Sequence, residues 1–190
     1  MRQRLLEATV QCLAEYGWSG TSTTQISQRA GVSRGAQLHH FPTKNDLVVA
    51  AVEHLATVRR DELAHAAAEL PEGPGRTRAV LEMLGEHFTS DVFAAALELW
   101  VAARSDAALL AALVPFERIT GRETHKLTVA MLDADETEPG ARELVQATLD
   151  MIRGLGLANT ISNDASRRSQ ILDRWAAVLE DELPRRTKES

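Results

Sequence analysis

The sequence predicts an all-α protein: an N-terminal three-helix head containing a helix-turn-helix, followed by a helical bundle. Three observations predict this. Alternation of apolar and polar residues, the mark of strands, is nearly absent. Apolar side chains recur instead at three- and four-residue spacing from residue 2 to about residue 183. Residues 30–44, AGVSRGAQLHHFPTK, set a glycine-containing turn between two helices too short to stand alone.

Each element follows from local signals. Residues 2–16 carry Leu5, Leu6, Val10, Leu13 and Ala14 on one face and end at Gly17. Residues 22–30 form a second helix, with Ser22 or Thr23 as N-cap and Gly31 at its C-terminal stop. Ser33 caps a third, 34–40, and Pro42 ends it, because proline disfavours helix in the residue before it. Thr43 caps a long helix from Lys44 to about Leu70, striped by Leu47, Val48, Ala51, Val52, Leu55 and Val58. The turn PEGPG (71–75) follows, then helices at about 76–89, 92–104, 106–113 and 116–132. The acidic DADETEPG (133–140) reads as a loop. Two last helices cover about 140–160 and 165–183, before a charged tail expected to fray. The expected domains are 1–46, the head, and 47–190, the body.

The bulk numbers set the class. Hydrophobic content of 44% and charged content of 25% are ordinary for a soluble globular protein. No apolar run approaches the ~20 residues of a membrane span, and the N-terminus lacks an apolar signal core, so a cytoplasmic protein is expected. The one cysteine, Cys12, lies on an apolar helix face and reads as a core residue. The net charge of −6 speaks weakly against nucleic acid, but its distribution does not. Residues 1–46 hold five basic side chains (Arg2, Arg4, Arg29, Arg34, Lys44) against three acidic, a net +2, and the remainder carries −8. A mildly basic head on an acidic body suits a local nucleic-acid contact.

In the helix-turn-helix, Ile26 and Ala30 are expected to point inward, Val32 to plug the angle between helices, and Leu38 and Phe41 to anchor the second helix. Arg34, Ala36, Gln37, His39 and His40 then face outward. Gly35 and Ala36 leave no bulk where a partner backbone approaches. Arginine is the usual reader of guanine and glutamine of adenine in the major groove, whereas the histidines and Lys44 suit phosphates. Two plain connecting helices would show the same spacing.

These residues carry a resemblance. Gly17, Thr21, Ser22, Ile26, Ala30-Gly31-Val32-Ser33, Gly35, Phe41, Lys44 and Leu47 fall at the spacing of the DNA-binding domain of the tetracycline-repressor (TetR) family of bacterial transcription regulators. The resemblance covers residues 1 to about 50. It implies a homodimeric repressor that grips an inverted-repeat operator and leaves it when a small molecule binds the body. By position it implies that Thr23 and Thr24 touch phosphate or also a base, that Arg34, Gly35 and Ala36 face the groove, and that His40 and Lys44 meet phosphates. One departure stands out: the family usually has Leu then Tyr where this chain has Gln37 then Leu38. Either Leu38 takes the core contact and Gln37 reaches a base edge, the favoured reading, or Gln37 is a buried polar residue.

In the body, the penultimate helix shows Leu144, Val145, Thr148, Leu149, Ile152 and Leu155, and the last shows Ile171, Leu172, Trp175, Val178 and Leu179. Two such helices from each protomer would make a four-helix interface, the arrangement the resemblance favours. Otherwise they only cap the protomer's own core. A pocket for a small, mainly apolar effector is expected among Met83, His87, Phe88, Phe93, Leu97, Trp100, Arg104, Phe116, His125, Met131 and Met151. Arg104 is expected to pair with Glu98 or an acidic ligand. An enzymatic reading finds no motif: the histidines lack metal-ligand spacing, and there is no GxSxG or phosphate loop. No catalytic residue, metal or cofactor is expected. The remaining alternative is a helical small-molecule-binding or scaffold protein without operator binding.

Overall fold

The computed structural model describes residues 1–186, and at residues 55, 59 and 62 only the backbone. Leu55 of the predicted stripe, and the tail past residue 186, therefore lie outside the described parts. The described residues form nine helices: α1 (Arg2–Gly20), α2 (Thr23–Ala30), α3 (Arg34–His40), α4 (Lys44–Ala68), α5 (Arg76–Phe88), α6 (Asp91–Ala103), α7 (Ala107–Met131), α8 (Ala141–Asn159) and α9 (Ala165–Glu182). No strand accompanies them, only an isolated bridge between Ala134 and Arg185.

The helix ends follow the sequence signals closely. Ser22 Oγ accepts the Gln25 N–H at 3.3 Å, and Gln25 Oε1 accepts the Ser22 N–H at 2.8 Å, a reciprocal cap on α2. Gly31 closes α2 in the left-handed region at φ 63°. Ser33 Oγ accepts the Ala36 N–H, and Thr43 Oγ1 accepts the Asp46 N–H at 3.1 Å. Two elements differ from expectation. The first helix stops being helical at Gly17 (φ 66°, ψ −179°) but resumes for one short turn to Gly20. Residues 107–131 form one helix rather than two, with Pro115 inside it. The proline removes one ladder hydrogen bond, but buried Leu113 and half-buried Phe116 on either side hold the helix in the core.

The chain divides into two compact units, one of residues 1–59 and 90–120, the other of 60–89 and 121–190. In the first, α1 packs against α2 and, most extensively, against α6. Leu5, Leu6, Leu13, Ile26, Leu47, Leu99 and Leu109 are fully buried in one cluster. Cys12 belongs to it, as expected, and burial pushes its thiol pKa up. In the second unit, α5 packs on both α8 and α9. Polar ties fix that packing: Arg78 pairs with Asp173 and Glu82, Trp175 Nε1 donates to Thr148 Oγ1 at 2.8 Å, and Arg185 donates to Thr77 Oγ1 at 2.7 Å.

At Gly17 the chain of α1 meets the Glu98 side chain of α6. The Trp18 N–H that follows it donates to Glu98 Oε2 at 2.9 Å. A Cβ on residue 17 would stand 2.7 Å from the same oxygen, at a φ that L side chains rarely adopt. Gly17→Ala should therefore cost about 1–3 kcal/mol in chemical denaturation. Adding Glu98→Ala should restore only part of it, because the backbone strain remains. A Gly17→Ala protein as stable as the parent would refute this account of the junction.

Candidate nucleic-acid interface

The α2–α3 pair has an inner and an outer side. Ile26 (0% exposed), Ala30 and Phe41 are buried in the core, and Val32 is half-buried against it, as the sequence predicts. On the outer side, Thr24, Arg34, Gly35, His39 and His40 are exposed, and Thr23, Ala36 and Lys44 are half-buried. Nothing stands within 4 Å of where a Gly35 side chain would begin, so the backbone there is open to close approach. Arg29 is occupied elsewhere, paired with Glu15 and lying over the Tyr16 ring.

The expected arrangement of Gln37 and Leu38 is reversed. Gln37 is 0% exposed and Leu38 is 45% exposed. Gln37 fills the core position with its aliphatic stem and turns its amide back on its own helix end, where Nε2 donates to the Phe41 carbonyl at 2.7 Å. Gln37 Oε1 has no hydrogen-bond partner. Helix geometry explains the choice: with Phe41 fixed inside, the residue four positions earlier shares its face, and that residue is Gln37. A base-reading role for Gln37 is thus withdrawn. Leu38 takes its place on the outer side.

The sequence of this interface matches the profile of the bacterial regulatory proteins of the tetR family over residues 5–51. Residues 5–51 are a DNA-binding domain of the TetR family. Similarity extends well past the head. The chain is 27% identical over 188 residues to the HTH-type transcriptional regulator BetI of Pectobacterium carotovorum, covering 97% of this chain and 94% of that one. A transcriptional regulator from Pseudomonas aeruginosa superposes with a TM-score of 0.72 at 25% identity, over 95% of this chain and 90% of that one. A regulator from Saccharomonospora viridis, solved in complex with choline, superposes with a TM-score of 0.73 at 16% identity, over 97% and 98%. The protein is a DNA-binding transcription regulator and not an enzyme. Among the described residues, no helix is long and apolar enough to cross a membrane.

Within the TetR head, Lys44 is already engaged. Its Nζ donates to the Trp18 carbonyl at 2.6 Å and lies 4.1 Å from the centre of the Trp18 ring, and burial pulls its pKa below the usual lysine value. An ammonium has three donors, so two stay available to a phosphate. Glu98, Trp18 and Lys44 form a continuous clasp from α6 through the end of α1 to the start of α4. Sequence reasoning missed it. It paired Glu98 with Arg104, but residues six apart lie on different helix faces, and Arg104 is exposed. The available signal was a single carboxylate inside the apolar run of α6.

The effector candidates divide between the two units. In the first, Phe93 and Trp100 meet edge to face at 5.8 Å, Trp100 Nε1 donates to Glu117 at 2.6 Å, and Leu97 and Phe116 are half-buried. In the second lie Met83, His87, Phe88, His125, Met131 and Met151. His87 stacks edge to face on Phe88 at 5.1 Å, and Met131 is buried core. His125 lies instead in a polar cleft of about 560 Å³ between α7 and α8, with Arg122, Arg142, Gln146 and Arg153. There its Nε2 pairs with Glu136 at 2.7 Å and holds that carboxyl below the usual range.

The predicted dimer face is also redistributed. Val145, Thr148, Leu149, Ile152, Leu155, Leu172 and Leu179 are buried inside the protomer, because α5 covers that stripe. They are core, not interface. Leu144, Ile171, Trp175 and Val178 remain half-buried.

The unpaired Gln37 oxygen makes a stability prediction. A buried acceptor without a partner costs about 1–3 kcal/mol. Gln37→Leu should raise the thermal midpoint by a few degrees while leaving the outer face of α3 unchanged. A lower midpoint would show that the Nε2 bond to Phe41 outweighs the orphaned oxygen.

Proposed function

We propose that this TetR-family regulator is a cytoplasmic repressor that binds an inverted-repeat operator as a homodimer and is released by a small, mainly apolar effector. The observation that carries the DNA half of this reading is the outer side of α3, where exposed Arg34 stands beside the open backbone of Gly35. Arg34 reads a base, and Thr23, Thr24, His40 and Lys44 hold phosphates.

The dimer reading rests on a second stripe of α8 that α5 leaves uncovered. Leu144, Ala147, Met151, Gly154 and Ala158 recur at alternating steps of three and four residues, and all are exposed or half-buried. Small residues at three of these positions permit close approach of a partner helix. Half-buried Ile171, Trp175 and Val178 on α9 extend the same apolar surface. An inverted-repeat operator presents its half-sites to such a dimer one DNA turn apart, ~34 Å.

Release runs through the shared core of the first unit. An effector that displaces Trp100 moves α6, and α6 holds the Trp18 N–H through Glu98. Lys44 is bound to the other side of Trp18. Choline, held by the Saccharomonospora viridis regulator, is a small quaternary ammonium cation, consistent with this reading in size but not in charge. The ligand shifts DNA binding only by its differential affinity for the two positions of α6, typically 1–3 kcal/mol.

Footprinting on the DNA beside the protein's own gene tests the first half. A protected, imperfect inverted repeat is expected, with affinity falling steeply as salt rises; no protection at low salt would sink the reading. Arg34→Ala should cost about 1–3 kcal/mol on that site and far less on scrambled DNA. Equal losses on both would remove Arg34 as a base reader.

Ala147→Arg tests the interface. Residue 147 is exposed in the protomer, so the variant should keep its helical circular-dichroism spectrum yet sediment as a monomer with operator binding lost. A folded, dimeric Ala147→Arg protein would place the interface elsewhere.

A further inference from the structure

We propose that Leu38 reads the 5-methyl group of a thymine in each operator half-site. The assignment rests on the operator-binding reading above and adds a specificity determinant to it. With Gln37 and Phe41 buried on one side, the rest of α3 falls into three pairs spaced four residues apart. Gly35 and His39 form the crest, Ala36 and His40 one flank, and Arg34 and Leu38 the other. Leu38 is thus the one large apolar side chain on a face otherwise made of cations, imidazoles and small residues, and nearly half of it is exposed.

The chemistry of that position is selective. Leucine has no hydrogen-bonding group, so it cannot hold a phosphate or pair with a base edge as its neighbours can. The thymine methyl is the one apolar group that stands out from the major-groove edge of a base pair, where cytosine has only a hydrogen in its place. Covering that methyl removes apolar surface from water on both partners. Helix geometry also gives a register. At a rise of 1.5 Å per residue, Leu38 lies ~6 Å along the axis from Arg34. That is about two steps of 3.4 Å along a DNA strand. The thymine should therefore lie within about two base pairs of the base that Arg34 reads.

The test replaces thymine by deoxyuridine, which pairs identically and lacks only the methyl. The full-length protein selects its preferred duplex from a random-sequence pool. Each thymine of that duplex is then exchanged in turn, and binding is measured for the parent protein and for Leu38→Ala. One thymine per half-site should cost the parent about fourfold, and both together about sixteenfold, the factor for one buried carbon each. Leu38→Ala should bind more weakly and no longer distinguish thymine from uracil there. A flat scan with the parent protein overturns the assignment whether or not the variant folds. A sensitive thymine that stays equally sensitive in folded Leu38→Ala overturns it as well. If the pool yields no duplex at all, the operator reading itself fails and takes this assignment with it. A tight site with a flat scan removes only Leu38.

Discussion

The DNA-binding head depends on a core that it does not build alone. Two of its three helices have eight residues or fewer, and a segment of about 50 residues buries little enough apolar surface to be marginal by itself. Leu5, Leu6 and Leu13 of α1 share one buried cluster with Leu99 of α6 and Leu109 and Leu113 of α7. The head and α6 therefore share one core. Under the induction proposed above, this shared core would carry a movement of α6 directly to the head. The Glu98–Trp18–Lys44 clasp adds direction to the coupling, since hydrogen bonds fix orientation where apolar packing only fixes distance.

The part of the fold governed by local rules was legible in the sequence. Ser22, Ser33, Thr43 and Gly31 each mark a helix end through a bond or a backbone angle that involves only a few neighbouring residues. The part governed by partners was not. Pro115 looked like a break because proline stops an isolated helix, yet buried neighbours carry α7 through it. The apolar stripe of α8 looked like an interface because no sequence signal shows that α5 lies on it.

The order of Gln37 and Leu38 is the sharpest case. Hydrophobicity alone puts leucine inside and glutamine outside. The helix register, pinned by Phe41, reverses them, and the glutamine survives burial by folding its amide back to the Phe41 carbonyl. Register outweighs side-chain preference because rotating a seven-residue helix would expose Phe41 and break the Ser33 cap together. The binding surface of α3 is thus set by what its inner side must hide.

Cys12 offers a practical consequence. It is the sole cysteine of the chain, buried on the inner face of α1, and burial raises its thiol pKa, which favours the less reactive protonated form. Maleimide reagents will pass it by. A single cysteine introduced on the outer surface would then be the only site to take up a spin label or a dye, with no need to remove the native one. Distances between two such labels across an assembly could be followed as ligand is added, in an otherwise unaltered protein.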